Sequence, residues 1–453
     1  MSLLVKNAAF IATMDDHSRE LKSQDILIEG PAITAIGPNL NPGTAEVVDA
    51  SNCWVFPGLV NTHHHLYQIL TRCVSGIQEA ELFPWLKYLY PIWAGLTADS
   101  VYAAALVGIG ELLKSGCTTA GDHHYVFPQG ESRLIDAEIA AAEKLGIRFH
   151  PCRGSMSLGE DDGGLPPNSV IQKEEEILED SQRLIRTYHD AEDFSMCRIA
   201  LAPCSPFSVT RSLLEQSVEL ARKHKVRCHT HLAETKDETK FCQEQVGMRP
   251  LEYMKDVGWL GQDIWFAHGI HFNQEELAEL AATGTGIAHC PVSNQKLSSG
   301  TAQIPAMLKL GIPVGLAVDG SASNDGSNML AELKAALLIA KLTWGIDSLS
   351  ARDVLAIATR GGASLLGRKD IGSLAPGKAA DMFLVRADSL DYAGCSDPIT
   401  ALITCGSSKT VDTTIVNGRV VVRDGTLLSM EEGEIAGMGN AAARELIAKA
   451  GIA

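Results

Sequence analysis

Histidines and carboxylates recur in this chain at spacings suited to binding a cation. In Asn61-Thr62-His63-His64-His65, the two-residue period of a strand sends His63 and His65 to one face and His64 to the other. In Cys228-His229-Thr230-His231-Leu232-Ala233-Glu234 the same alternation pairs His229 with His231, and Glu234 follows at the strand's end. Asp319 closes the apolar run 313–319 ahead of Gly320 and Ser321, which leaves its carboxylate at a rim. His123, His124, His268, His271 and His289 also stand near the ends of apolar runs. An isolated His-X-His carries little meaning. Recurrence at strand ends is different, because imidazoles and a carboxylate around one point can hold a divalent ion and activate its water.

Elements of two kinds must position these groups. Short β-branched runs alternate with helical stretches, the pattern of βα units around a parallel sheet. Eight such runs can be counted: VFPGLVNTHHH, CTTAGDHHY, IRFHPCRGS, RIALAPCSP, VRCHTHLAE, IWFAHGIHF, GTGIAHCPVS and PVGLAVDGS. SLLEQSVELARKH and QEELAELAAT between them carry apolar residues three and four apart, as amphipathic helices do. Eight units predict a closed (β/α)8 TIM-type barrel over 58–369, with a doubly wound open sheet as the alternative. Polar residues at the strands' C-terminal ends are where a barrel builds its active site. Both chain ends, 1–57 and 370–453, have strand-like alternation, and Asn417-Gly418 suits a hairpin turn. They are expected to pair into one small β-sandwich, followed by a helical tail over 434–453.

The 453 residues leave room for this arrangement, and 45% hydrophobic with 21% charged residues is ordinary globular composition. A net charge of −17 argues against nucleic acid or an anionic membrane as partner. No apolar run reaches membrane-span length, and the first residues lack a signal peptide's pattern, so a cytoplasmic location is expected. The 11 cysteines form no CxxC pair and read as buried small hydrophobes rather than disulfides. The GxG in VGIGELLKSG lacks a third glycine and an acidic partner, against a dinucleotide site. The acid run 174–183 reads as a solvated helix face.

PGLVNTHHH, HLAET, AHGIHF, HCPVSN, AVDGSASND and GSLAPGKAAD together resemble the amidohydrolase superfamily, in its branch of purine and pterin deaminases and chlorohydrolase-like enzymes. The resemblance spans the whole chain. It implies His63, His65, His231 and Asp319 as metal ligands, Glu234 as proton shuttle and His268 as catalytic histidine, with Asp319 also acting on the water's proton. His229 then supports the site or packs. Members with two metals bridge them by a modified lysine at the fourth strand's end, where this chain has Ala202-Pro203-Cys204-Ser205. One divalent ion is therefore expected, with zinc favoured by imidazole-rich ligation and iron or manganese left open.

Stretches outside the metal motif, including LFPWLK, RGSMSLGE and LAPCSPFSVT, are most similar to the 8-oxoguanine deaminases of that branch. This implies hydrolytic deamination of free 8-oxoguanine to urate and ammonia by a metal-activated water, a step of purine catabolism. An isoxanthopterin (pterin) deaminase and a triazine or chlorohydrolase-type aminohydrolase are the alternatives. Retention of all six site residues argues against a non-catalytic scaffold. Guanine deaminases carry a glutamine after His-X-His and an arginine after strand four. Gln68 fits the first, while Cys204 and Ser205 replace the second, against guanine as best substrate. Expected substrate contacts are Gln68, Trp93, Tyr125 and Cys204. Trp85 and Trp93 either lid a planar ring or pack loop on barrel. One of His123 and His124 is expected near the pocket, and Arg153 is expected to pair with acids of the 159–167 loop, with contact to a substrate oxo group as the alternative. A Cys204 nucleophile is unnecessary where water is activated. A homo-oligomer is compatible with the sequence, which shows no interface.

Overall fold

The computed structural model describes residues 2–406 and 410–451. Eight parallel strands close into a barrel: β1 (Leu59–Asn61), β2 (Cys117–His124), β3 (Arg148–Ser155), β4 (Ala200–Pro203), β5 (Arg227–Leu232), β6 (Ile264–His268), β7 (Gly286–His289) and β8 (Val314–Leu316). Leu316 of β8 pairs with Asn61 of β1. That pairing leaves no edge strand and excludes the doubly wound sheet. Each expected run supplies one barrel strand. The strands are buried on both faces, as parallel strands wrapped by helices must be.

The helices between them follow local rules. Over Arg211–His224, Leu213, Leu214, Val218 and Ala221 form the buried stripe. Thr210 caps the start by accepting the Leu213 N–H at 3.2 Å, and three basic residues occupy the last turn, where they complement the helix dipole. Gln274–Thr283 begins with a capping box between Asn273 and Glu276 and ends at Gly284, whose φ of +70° suits glycine.

The first run is not one strand. Cys53–Pro57 belongs to a sheet of the chain ends and only Leu59–Asn61 enters the barrel. Gly58 makes the crossing possible, since a Cβ there would lie 2.0 Å from Thr118 Oγ1. Cys53–Pro57 pairs antiparallel with Met382–Arg386, setting the Phe56 ring on Phe383 at 5.4 Å. Thr413–Val416 and Arg419–Arg423 extend this sheet through a hairpin at Asn417-Gly418, with φ of 52° and 76°. A four-stranded sheet of Ala32–Gly37, Gln24–Glu29, Ser2–Ala8 and Glu46–Asp49 packs on it. Leu3, Val5, Ile26 and Ile28 of one sheet share a core with Val55, Met382, Leu384 and Ile415 of the other, so the β-sandwich draws on both chain ends.

The C-terminal helix Glu432–Lys449 lies against the barrel helix Ala98–Lys114, held by Lys114 Nζ on Glu432 Oε2 at 2.5 Å. Residues 452 and 453 of the expected tail lie outside the described residues. No described helix is long and apolar enough to cross a membrane.

Candidate active site

Beyond the barrel rim, β1 and β8 resume contact as a short ribbon, with His64–His65 parallel to Asp319–Gly320. This second pairing, not the barrel itself, brings the first histidines to the carboxylate. Asp319 Oδ1 lies 3.3 Å from both His63 Nε2 and His65 Nε2. His65 Nε2 is 3.1 Å from His231 Nε2 at the end of β5. All four side chains are buried, and His64 turns away to Ser327 as strand alternation requires.

Backbone carbonyls determine which ring nitrogen carries each proton, since a carbonyl can only accept. His65 Nδ1–H donates to the His123 carbonyl at 2.6 Å and His231 Nδ1–H to that of Cys204 at 2.7 Å. For His63 the control acts through a relay. His229 Nδ1–H donates to the Trp265 carbonyl at 2.9 Å, leaving its Nε2 to accept the proton of His63 Nδ1 at 2.7 Å. The Nε2 lone pairs of His63 and His65 therefore face the Asp319 carboxylate and that of His231 faces His65, an arrangement that is repulsive without a cation and fits a divalent ion well. Burial holds His63 and His231 well below the ordinary imidazole range, in the neutral form a ligand needs. Asp319 Oδ2 accepts the Ser293 hydroxyl at 2.6 Å, which orients the carboxylate.

His268, at the end of β6, donates Nδ1–H to Asn294 Oδ1 at 2.9 Å and turns Nε2 toward Glu234 Oε2 at 3.5 Å. Burial, then the Asp319 charge, holds Glu234 well above the usual carboxylate range. Glu238 accepts the N–H groups of Ala233 and Glu234 at 3.0 and 2.9 Å, fixing the turn that presents Glu234. Ala233, His268 and Asp319 have φ of 54°, 70° and 63°. Non-glycine residues in this region mark backbone whose local preference is overridden at a site.

A family model described as "Amidohydrolase family" matches residues 54–421. The chain belongs to the amidohydrolase family. Among related proteins, 8-oxoguanine deaminase of Pseudomonas aeruginosa PAO1 is 48% identical over 425 residues, covering 93% of this chain and 94% of that protein. Isoxanthopterin deaminase from an unknown prokaryotic organism is 34% identical over 474 residues, covering 98% of this chain and 97% of that protein. The zinc complex of atrazine chlorohydrolase TrzN from Arthrobacter aurescens TC1 superposes with a TM-score of 0.94 at 35% identity, over 97% of this chain and 100% of that one.

The amidohydrolase cavity is lined by His65, Gln68, Tyr125, Cys204, His231, Glu234, His268 and Asp319, with Trp85, Tyr90 and Phe207 among its apolar walls. Gln68 presents a buried Oε1 that has no partner, and Gly320 leaves room for it, since a Cβ would come within 1.9 Å. Burial pushes the Cys204 thiol up to about 12, so it is no thiolate nucleophile. Trp93 is not on the cavity wall. It is fully buried behind Trp85, at 5.7 Å between rings, with Nε1–H donated to Thr71 at 3.1 Å. His123 packs among the clustered imidazoles, stacked on His231 at 4.8 Å, while His124 turns to Glu138 at 2.7 Å.

Arg153 does pair structurally, but with Asp180 at 2.8 Å, not with the 159–167 loop, and its guanidinium caps the Phe127 ring at 4.0 Å. The acid run 174–183 is accordingly only partly solvated: Glu175, Glu176 and Glu179 are exposed, whereas Asp180 holds Arg153 and Glu174 accepts Ser212 at 2.8 Å. Sequence reasoning did not find Ser293, Asn294, Glu238 or the His229 relay. Asn294 and Ser293 do fall in HCPVSN, directly after β7, and that strand-end position was the available signal.

Proposed function

We propose that this amidohydrolase hydrolyses the 2-amino group of free 8-oxoguanine, leaving urate and releasing ammonia. We assign one divalent ion, zinc by preference, to His63, His65, His231 and Asp319. The carrying observation is the cluster of His63, His65 and His231, whose tautomers are set by their hydrogen bonds, with Asp319 Oδ1 3.3 Å from the Nε2 atoms of His63 and His65, and the 48% identity to an 8-oxoguanine deaminase supports the substrate class. When bound, the ion lowers the pKa of water from about 16 to about 7 and so supplies a nucleophile at neutral pH.

The protein's own residues do the rest. Trp85, Tyr90, Tyr125 and Phe207 give a planar base an apolar slot, and the unmet Gln68 Oε1 accepts one of its N–H groups. Glu234 is protonated and gives its proton to the ring nitrogen beside the attacked carbon. Asp319 and His268 Nε2 accept and orient the protons of the attacking water. Glu234, now a carboxylate, takes up one of these protons and hands it to the departing amine, and the second water proton then restores the Glu234 acid as the carbonyl forms and ammonia leaves. We place this chemistry in a barrel unit of residues 58–369, with 1–57 and 370–453 as the companion β unit. We infer a cytoplasmic enzyme acting on the free base, since a net charge of −17 disfavours DNA.

The test is ammonia release coupled to urate absorbance, with kcat/KM compared across 8-oxoguanine, isoxanthopterin and guanine, and halide release measured from a chlorotriazine. 8-Oxoguanine is expected to lead. A preference for guanine would overturn the reading of the Cys204 region, and two metal equivalents per chain by elemental analysis would overturn the single-ion assignment.

A further inference from the structure

The opposite end of the barrel holds a second cavity that deamination does not use. Its wall includes Arg227, the first residue of β5, Gly286, the first of β7, and Pro313, just before β8. It therefore sits where the strands begin, while the candidate active site sits where they end.

Arg227, Arg360, Arg368, Lys369 and Lys378 line it against a single acid, Asp16. In a chain of net charge −17 this is a local reversal of sign. Arg368 is neutralised by Asp370 through bonds of 2.8 and 2.6 Å. The other four cations form no ion pair among the described residues, and Asp263, the acid closest in charge to Arg227, is taken by Arg222 at 2.9 Å. Three of them are steadied by carbonyls instead: Arg227 by Gln262, Lys378 by Lys369, and Arg360 by Asp15 at 3.5 Å. A carbonyl positions a cation without cancelling its charge. Arg227 also keeps a buried Nε–H with no acceptor among the described residues, and Gly367 makes room for its guanidinium, since a Cβ would lie 2.7 Å from Nη1. A buried donor on an uncompensated guanidinium calls for an anionic acceptor.

We propose that this cavity is a binding site for a small phosphate-bearing anion. A dianion matches the guanidinium fork of Arg227 and the ammonium groups of Lys369 and Lys378, and it bridges the barrel to the 367–378 segment. The source is inorganic phosphate or an organic monophosphate.

Calorimetry and thermal melting of the metal-loaded full chain, at fixed ionic strength, test this with inorganic phosphate and ribose 5-phosphate against chloride. Saturable binding of one anion per chain with a raised Tm is expected. Arg227→Gln should weaken it about tenfold, and Lys369→Gln with Lys378→Gln by a similar factor, with deamination constants unchanged. Tighter binding of ribose 5-phosphate would support the organic source, and equal affinity the inorganic one. The lysine double variant lies at the surface and keeps the test readable should Arg227→Gln fail to fold. A response no larger than that of chloride, or binding unchanged in the variants and lost on removing the metal, overturns the proposal.

Discussion

His229 Nε2 lies 2.7 Å from His63 Nδ1, across a separation of 166 residues. His229 offers no lone pair to the centre, because its ring is stacked on Trp265 at 4.4 Å and its Nδ1 proton is committed to that residue's carbonyl. Its contribution is to decide where the proton of His63 sits.

His229→Ala should therefore weaken metal affinity about 10- to 100-fold while leaving the fold intact, because His63 loses its tautomer control. Chelator competition at neutral pH measures this. Wild-type affinity in the variant would show that the relay is incidental.

Glu234 and Glu238 should separate chemistry from positioning. Glu234→Gln keeps the shape but cannot transfer a proton, and kcat should fall about a hundredfold or more with metal content unchanged. Glu238→Gln loses an acceptor for the Ala233 and Glu234 N–H groups, and kcat should fall about tenfold at nearly constant KM. Full activity in the first would sink the assigned acid. A KM effect alone in the second would point to substrate binding instead.

Glu332 links stability to pH. Burial pushes its carboxyl from the ordinary 4.5 up to about 8, against the pull of bonds from Asn324 at 2.6 Å and the Val292 N–H at 3.3 Å. A raised folded-state value means the folded chain holds the proton more tightly. That stabilisation is complete below about 4.5 and is lost as pH rises through about 8. Between pH 6 and pH 9 the wild type should lose on the order of 2 kcal/mol more than Glu332→Gln, read from urea melts. Parallel curves would show that Glu332 does not titrate in this range.

The two loop tryptophans should behave oppositely. Trp85 forms cavity wall, so Trp85→Ala should raise KM for the base. Trp93 lies one layer behind, and Trp93→Phe should cost about 1–2 kcal/mol by freeing the Thr71 hydroxyl and leaving a void, with KM unchanged. A KM change in the Trp93 variant would return it to the substrate wall.

The sequence by itself determined the eight βα units and the residue types at their strand ends, and the Leu316–Asn61 pairing decided that they close into a barrel. Strand periodicity is local, so the face shared by His63 and His65 follows from two-residue alternation alone, and eight apolar runs spaced by amphipathic helices leave few ways to bury themselves. The position of Asp319 after the last run was legible for the same reason. Only the tertiary structure decided which lone pair each imidazole presents, because that depends on the carbonyls of His123, Cys204 and Trp265, which stand on other strands. It also decided that Trp85 rather than Trp93 walls the cavity, that Asp180 rather than the 159–167 loop holds Arg153, and that the first run divides at Gly58. Tautomers, layers and ion-pair partners depend on contacts between residues far apart in the chain, and local patterning carries no information about those until the barrel has closed.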